Sequence, residues 1–238
     1  MVSVFDIFKI GIGPSSSHTV GPMVAAGRFL TRLDRSRLFE QVARIECRLQ
    51  GSLAFTGKGH GTDRAVLLGL SGEVASDIDP DAIPAIIETI EKSGTLQLGG
   101  RRGIAIDLAR DIVFDYDTPS PGHPNAMRLV AYDDDGAELA NRLYFPVGGG
   151  FVVTEEQYVA DKPAGGEIGG ANVPFPFSSS AKLLELAARE NLSIAEIVLK
   201  NERAIRPLEE VDAGIDRIFD GMMSCVDRGL TIDGVLPG

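Results

Sequence analysis

The stretch ARIECRLQ, residues 43–50, decides the fold class because its apolar side chains alternate with charged ones. Ile45, Cys47 and Leu49 therefore share one face, which is typical of a strand with one buried side. Free cysteine is usually buried and packs as a small apolar residue, so we expect Cys47 to lie in the core.

Helical patterns lie on both sides of this strand. Proline is favoured at the first position of a helix, so Pro22 and the apolar pattern after it predict a helix. A second helix is predicted from about Thr62 to Leu70. A third is predicted to open at the capping pair Asp79–Pro80 and to stop near Gly94. Strands and helices therefore alternate in this half of the chain.

Residues 127–147, MRLVAY-DDDG-AELANRLYFPV, have the pattern of a hairpin. Two apolar runs flank the dipeptide Asp135-Gly136, which supplies a tight turn. Together with the helices, this hairpin predicts a mixed α/β (α+β) domain over residues 1–160, with helices packed on a mixed sheet.

The chain changes character near residue 161. Residues 161–178 hold four glycines and three prolines, which indicates a linker. Residues 179–238 are predicted to be helical, since Ser193 and Glu196 form a capping box. One apolar stripe at helical spacing consists of Val211, Ile215, Ile218, Phe219, Met222 and Val226. The stripe faces one side only, so we expect these helices to pack poorly without further partners.

Charge and composition exclude several classes of protein. A net charge of −11 and a pI of about 4.8 argue against nucleic-acid binding, which requires clustered positive charge. The N-terminus lacks the features of a signal peptide, and no run reaches the roughly 18 apolar residues of a membrane helix. We therefore expect a cytoplasmic protein with no membrane partner. The two cysteines, Cys47 and Cys225, are too few for a four-cysteine metal or cluster site.

The first chemistry-bearing stretch is GIGPSSSHTVGP, residues 11–22. It is expected to precede a helix N-terminus, where free N–H groups and the helix dipole favour a carboxylate. The candidate binding residues are Ser15, Ser16, Ser17, His18 and Thr19. The alternative is a polar loop with one capping serine and a solvated His18.

The second stretch is TGKGHGTDRAV, residues 56–66, in which glycines surround His60. Its spacing does not fit a phosphate-binding G-x-x-x-x-G-K-[ST] loop. We expect an accessible imidazole at His60 that can accept a proton near neutral pH. The neighbouring candidate residues for binding are Lys58, Gly59, Gly61, Thr62 and Asp63. Thr62 and Asp63 are also candidate helix caps, and the alternative role for His60 is to cap the predicted helix.

The same residues bear on two other classes of function. A serine hydrolase is disfavoured because the sequence has no G-x-S-x-G turn. A non-catalytic amino-acid-sensing regulatory domain stays open, because a carboxylate-binding loop on an α/β domain can bind a ligand without performing chemistry. His123, between prolines in SPGHPN, is predicted to be a loop residue.

Several long strings resemble the N-terminal region of the iron–sulfur L-serine dehydratases, the bacterial L-serine deaminases. They are SVFDIFKIGIGPSSSHTVGPM, GSLAFTGKGHGTDRAVLLGL, VGGGFVVTEEQY, FPFSSSAKLLELA, KNERAI and CVDRGLTIDGVLPG. The resemblance implies an N-terminal domain similar to the allosteric substrate-binding domain of phosphoglycerate dehydrogenases. It also implies conversion of L-serine to pyruvate and ammonia, without pyridoxal phosphate.

The resemblance further implies a helical C-terminal catalytic domain that holds a [4Fe-4S] cluster through three cysteines. The open iron of that cluster would act as a Lewis acid on the departing hydroxyl. The family's cluster cysteines lie beyond residue 238, so we expect a truncated chain that binds no metal and is inactive alone. We expect His60 to be the general base, residues 15–19 to hold L-serine, and the enzyme to be a homodimer.

Overall fold

The computed structural model describes residues 3–160 and 173–234, which form two compact units. The α/β unit contains residues 11–160, and the helical unit contains residues 3–10 together with residues 173–234. The first described residues thus pack with the helices, whereas the sequence placed all of residues 1–160 in one domain. Most of the predicted linker, residues 161–172, lies outside the described residues.

The described part of the chain contains seven strands. They are β1 (Arg44–Gly51), β2 (Thr95–Leu98), β3 (Arg102–Ala105), β4 (Ile112–Asp115), β5 (Asn125–Tyr132), β6 (Glu138–Gly148) and β7 (Phe151–Thr154). It also contains ten α-helices, namely α1 (Val4–Ile7), α2 (Gly21–Arg35), α3 (Ser52–Thr56), α4 (Thr62–Leu70), α5 (Ile83–Ser93), α6 (Leu108–Asp111), α7 (Glu155–Val159), α8 (Ser180–Glu190), α9 (Ile194–Arg203) and α10 (Leu208–Thr231). A π-helical turn spans Ser16–Val20, and a 3₁₀ turn spans Phe39–Gln41.

Five strands form a mixed sheet in the order β4-β1-β5-β6-β7. Strand β1 pairs in parallel with β4 and antiparallel with β5, and β5, β6 and β7 continue antiparallel. β2 and β3 form a separate two-stranded hairpin. The predicted hairpin is confirmed as β5–β6, and Gly136 in its turn has a positive φ of 79°. The mixed α/β fold class is therefore confirmed.

The alternation in β1 determines which face of the sheet is covered. Ile45, Cys47 and Leu49 are all buried in the main core, together with Phe29 of α2 and Leu68 of α4. Each such large apolar side chain stabilises the fold by about 1.5–3 kcal/mol through removal from water. Burial also raises the pKa of the Cys47 thiol, and the charge of Glu46 adds to that shift. Cys47 is therefore a neutral core residue.

Helix boundaries agree with the sequence at most ends. Helix α4 spans the predicted range, and α2 carries proline in its first turn. Helix α5 ends at Gly94 as predicted, but it begins at Ile83 instead of Pro80. The Asp79 carboxylate accepts a hydrogen bond from the Asp81 N–H and forms a local turn, and the proline in the first turn of the helix is Pro84.

Two adjacent polar residues on α9 organise the helical unit. The Asn201 side chain binds both the N–H and the carbonyl of Phe175. The Glu202 carboxylate is buried and accepts hydrogen bonds from Ser3 Oγ, the Val4 N–H and Arg206. Buried polar groups are normally satisfied in this way, so α9 fixes two distant segments of chain.

One sequence feature of the helical unit is also confirmed. Ser193 and Glu196 form the predicted capping box. On α10 the predicted stripe is largely solvent-exposed, with only Val211 buried. None of the described helices combines the length and apolar character that a membrane crossing requires.

Candidate functional site

The two polar stretches meet at the end of β1, within the α/β unit. β1 ends at Gly51, whose backbone (φ 61°, ψ −134°) turns the chain directly into helix α3. A Cβ at this position would lie 2.2 Å from the Pro124 carbonyl oxygen. The Ser52 N–H donates to that same carbonyl at 2.8 Å. This turn places Ser52 and Thr56 beside both histidines.

The serine-rich stretch is itself helical, whereas the sequence predicted a loop in front of a helix. Ser16–Val20 form a π-helical turn that continues into α2 without a break. Ser15 caps this turn, since its Oγ accepts from the His18 N–H at 3.1 Å. The capping serine thus satisfies a backbone N–H that has no acceptor within the helix.

The His18 ring lies between two serine hydroxyls. Its Nδ1 is 2.9 Å from Ser17 Oγ, and its Nε2 is 2.9 Å from Ser52 Oγ. Partial burial lowers the pKa of His18, the nearby His60 lowers it further, and a hydrogen bond with the Ser52 backbone acts in the opposite direction. The net shift favours a neutral His18, so its ring can share hydrogen bonds with both hydroxyls at pH 7.

His60 has a defined tautomer when it is neutral. Its Nδ1 lies 2.8 Å from the Thr56 carbonyl oxygen. A carbonyl oxygen only accepts hydrogen bonds, so Nδ1 carries the proton and Nε2 carries the lone pair. The nitrogen of His60 that can accept a proton is therefore Nε2, and Nδ1 is held by the Thr56 carbonyl.

The structure brings the two histidines together. Their ring centroids are 5.0 Å apart with an interplanar angle of 43°. Thr19 Oγ1 donates to the His60 carbonyl at 2.9 Å, and Thr62 Oγ1 donates to the His18 carbonyl. Each histidine is thus held by a threonine from the other stretch.

The remaining predicted binding residues lie on the same stretch of chain as His60. Lys58 forms an ion pair with Asp63, and its ammonium lies 5.7 Å from the centre of the Phe114 ring. Gly59 is exposed, and Gly61 adopts a left-handed conformation (φ 65°) directly before α4.

Of the two predicted caps of α4, Thr62 is wrong, whereas Asp63 binds a backbone N–H of the first turn. Gly61 occupies the N-cap position and has no side chain for this role. The Thr62 hydroxyl donates to the His18 carbonyl, and the Asp63 carboxylate accepts from the Arg64 backbone N–H and from Lys58.

Sequence reasoning missed three contributors to the site. Ser52 and Thr56 were not singled out, although they adjoin the glycine-rich stretch. Gly149 belongs to the glycine-rich turn between β6 and β7, and its N–H donates to Ser16 Oγ at 3.1 Å. Three consecutive glycines, residues 148–150, all with positive φ, are the signal that could have drawn attention to this turn.

His123 lies in the predicted loop, directly before Pro124. Its Nδ1 accepts from the Asn125 N–H at 3.0 Å, and its ring packs against Phe145 and Tyr158. These contacts indicate that His123 stabilises the loop.

The described residues do not supply ligands for an iron–sulfur cluster. They contain no group of three or more histidine, cysteine or acidic side chains that could hold a metal ion. Cys47 is buried in β1 and Cys225 is exposed on α10, in different compact units. A cluster requires several converging thiolates, so the donor set present here does not fit it.

The fold and the paired stretches match one family. The sequence model described as "Serine dehydratase beta chain" matches residues 3–157, which is most of the described α/β unit. The chain therefore belongs to the serine dehydratase beta-chain family.

Named relatives extend this similarity over the entire chain. The sequence is 45% identical over 237 residues to "L-serine dehydratase" of Streptomyces coelicolor, which covers 100% of this chain and 51% of the relative. It is 42% identical over 239 residues to "L-serine dehydratase TdcG" of Escherichia coli, with the same coverage. It is 40% identical over 237 residues to an "L-serine dehydratase" of Helicobacter pylori, with coverage of 99% and 50%. The chain spans about half the length of the curated relatives it matches.

Proposed function

We propose that this chain contributes the base and the substrate-carboxylate site of an L-serine ammonia-lyase. The substrate is inferred from the relatives, which are named as L-serine dehydratases. The overall reaction removes one water from L-serine to give aminoacrylate. Aminoacrylate becomes the imine, which takes up one water to give pyruvate and ammonia.

The observation that carries the proposal is the tautomer of His60 beside His18. With its Nδ1–H donated to the Thr56 carbonyl, neutral His60 presents an Nε2 lone pair. That nitrogen accepts the Cα proton of serine. A positioned general base of this kind contributes about 10²–10⁴-fold to the rate.

The serine-rich turn offers donors for the substrate carboxylate. Ser16 Oγ accepts a hydrogen bond from the Gly149 N–H, so its own proton stays available to donate. Ser16 is exposed, as a residue that meets a ligand must be. The Ser17 hydroxyl lies 2.9 Å from His18 Nδ1, so the ring of His18 orients this hydroxyl.

The resemblance also implies a [4Fe-4S] cluster and a helical catalytic domain. The described residues do not provide ligands for this cluster. The proposal places the cluster ligands on a further catalytic domain, and it assigns to this chain proton abstraction at Cα and recognition of the carboxylate. Homodimerisation and a cytoplasmic location belong to the same proposal.

The test compares His60→Gln with His18→Gln in the full-length enzyme with its cluster intact. We expect His60→Gln to lower kcat by about 10²–10⁴-fold, because it removes the base. His18→Gln should act mainly on KM, because His18 orients the hydroxyls that meet the carboxylate. A His60→Gln enzyme with near-normal kcat would show that the base lies elsewhere. A wild-type enzyme that binds L-serine without turnover would instead favour the sensor function.

A further inference from the structure

We propose that Thr19 and Thr62 are positioning residues that hold the two histidines in register, and that neither of them contacts the substrate. The proposal deepens the function proposed above, and its kinetic part rests on that function. It differs from the expectation from the sequence, which counted both threonines among the substrate-binding residues.

The two hydroxyls form a reciprocal pair of hydrogen bonds. Thr19 directly follows His18 in the chain, yet its Oγ1 donates to the carbonyl of His60 at 2.9 Å. Thr62 lies two residues after His60, yet its Oγ1 donates to the carbonyl of His18. Each stretch therefore fixes the backbone of the other at its histidine. We call this pair of bonds the threonine lock.

Burial separates the threonines from the residues that can meet a ligand. Thr19 is 5% exposed and Thr62 is 0% exposed, whereas Ser16 is exposed to solvent. A hydroxyl that is enclosed by protein and already donates its proton has neither the access nor the donor to bind a carboxylate.

The glycines of both stretches provide the space for the lock. A Cβ at Gly13 would lie 2.5 Å from Thr19 Cγ2. A Cβ at Gly57 would lie 2.9 Å from Thr62 Oγ1 and 2.1 Å from the Leu53 carbonyl oxygen. Both positions therefore carry glycine because a larger residue would collide with a threonine. Such glycines often mark the approach of a ligand to the backbone, but here the packing of the threonines explains them.

Loss of the lock should displace the base. The His60 ring is anchored to the Thr56 carbonyl, and its own backbone is anchored through Thr19. Without the second anchor the glycine-rich stretch can move relative to His18. A misplacement of about 1 Å at a reacting group can lower a rate on the order of 10²-fold.

The kinetic experiment uses Thr19→Val and Thr62→Val in the full-length enzyme, with Thr19→Ser and Thr62→Ser as rescue variants. Valine keeps the shape and removes the donor, so we expect kcat to fall about 10–100-fold with KM within about 3-fold. Serine restores the donor, so kcat should return to within about 3-fold of wild type. The matched control is Thr89→Val on α5, which removes an exposed hydroxyl bond to the Ala85 carbonyl and should leave kcat unchanged.

If the threonines bound the substrate, the valine variants would raise KM and leave kcat nearly unchanged. If the valine variants raise KM and leave kcat unchanged, or if they match wild type in both constants, the lock is refuted. A serine variant as slow as its valine counterpart refutes it as well.

A second measurement does not depend on turnover. The chain of residues 1–238 contains three histidines, so ¹⁵N-histidine labelling gives three ring systems for NMR. We expect wild-type neutral His60 to be protonated at Nδ1, and Thr19→Val to lower the fraction of that tautomer. An unchanged tautomer fraction overturns the lock. If the full-length enzyme does not turn over L-serine but the tautomer shifts as expected, the proposed function fails and the lock stands.

Discussion

The turn at Gly51 supplies a stringent test, because one methyl group there strains both the fold and the site. Gly51→Ala places a Cβ 2.2 Å from the Pro124 carbonyl oxygen, whereas real Cβ atoms essentially never come within 3.0 Å of such an atom. The obstacle is backbone that already accepts the Ser52 N–H, so it cannot move without loss of that bond.

The expected cost has two parts. A non-glycine residue at φ 61°, ψ −134° has a strained backbone, which costs about 1–3 kcal/mol. Loss of the bond between Ser52 and Pro124 costs about 0.5–1.5 kcal/mol more. Together these terms predict a loss of about 1.5–4.5 kcal/mol. For a unit of this size that is a fall of roughly 3–18 °C in the melting temperature.

The assay is thermal unfolding followed by far-ultraviolet circular dichroism, since the sequence contains no tryptophan for fluorescence. The matched control is Gly136→Ala, which also has a positive φ but has no atom within 4 Å of the added Cβ. It should cost only about 1 kcal/mol, from backbone strain alone. Equal destabilisation by both substitutions, or a Gly51→Ala protein as stable as wild type, would refute the steric argument.

Two further predictions concern ionisation and metal binding. Burial alone would raise the pKa of Asp111, but hydrogen bonds from Arg110, the Asp107 N–H and Arg44 outweigh it and lower the pKa. The carboxylate therefore stabilises the fold at pH values above its ordinary pKa, and this stabilisation is lost as the pH falls through the lowered pKa. Asp111→Asn should flatten the acid limb of a plot of unfolding free energy against pH. An acid limb that does not change would contradict this role of Asp111. The chain of residues 1–238 should bind no iron–sulfur cluster and show no serine deaminase activity, since it has only two cysteines and Cys47 is buried. A stable cluster after anaerobic reconstitution, seen by its visible absorbance, would overturn this.

Local sequence patterns predicted those elements whose structure depends on residues close together in the chain. The alternation around Cys47 fixed a one-sided strand, the Asp135-Gly136 turn fixed a hairpin, and α4 has the predicted bounds. The start of α5 was misplaced because the rule for proline in the first helical turn was applied to Pro80, while Pro84 occupies that turn.

The sequence predicted many of the residues of the candidate site, but it did not predict the contacts between them. Both histidines were selected because glycine and hydroxyl residues surround them. The contacts of the threonine lock join residues 41 and 44 positions apart, so no local pattern contains them. Ser52 was missed for the same reason, since its partner His18 is 34 positions away. The π-helical turn of the serine run also depends on tertiary context, because Ser16 Oγ accepts from the N–H of Gly149, 133 positions away.

The proposed role of His60, removal of the Cα proton of L-serine, is tested most directly by deuterium release. The measurement is the rate at which the full-length enzyme releases deuterium from L-[2-²H]serine into water in a single turnover. With His60→Gln, we expect a rate of release about 10²–10⁴-fold lower than wild type, while equilibrium binding of L-serine stays within about 10-fold. With His18→Gln, release should be much less affected once substrate is saturating. Deuterium release from the His60→Gln enzyme at close to the wild-type rate would show that another group removes the proton.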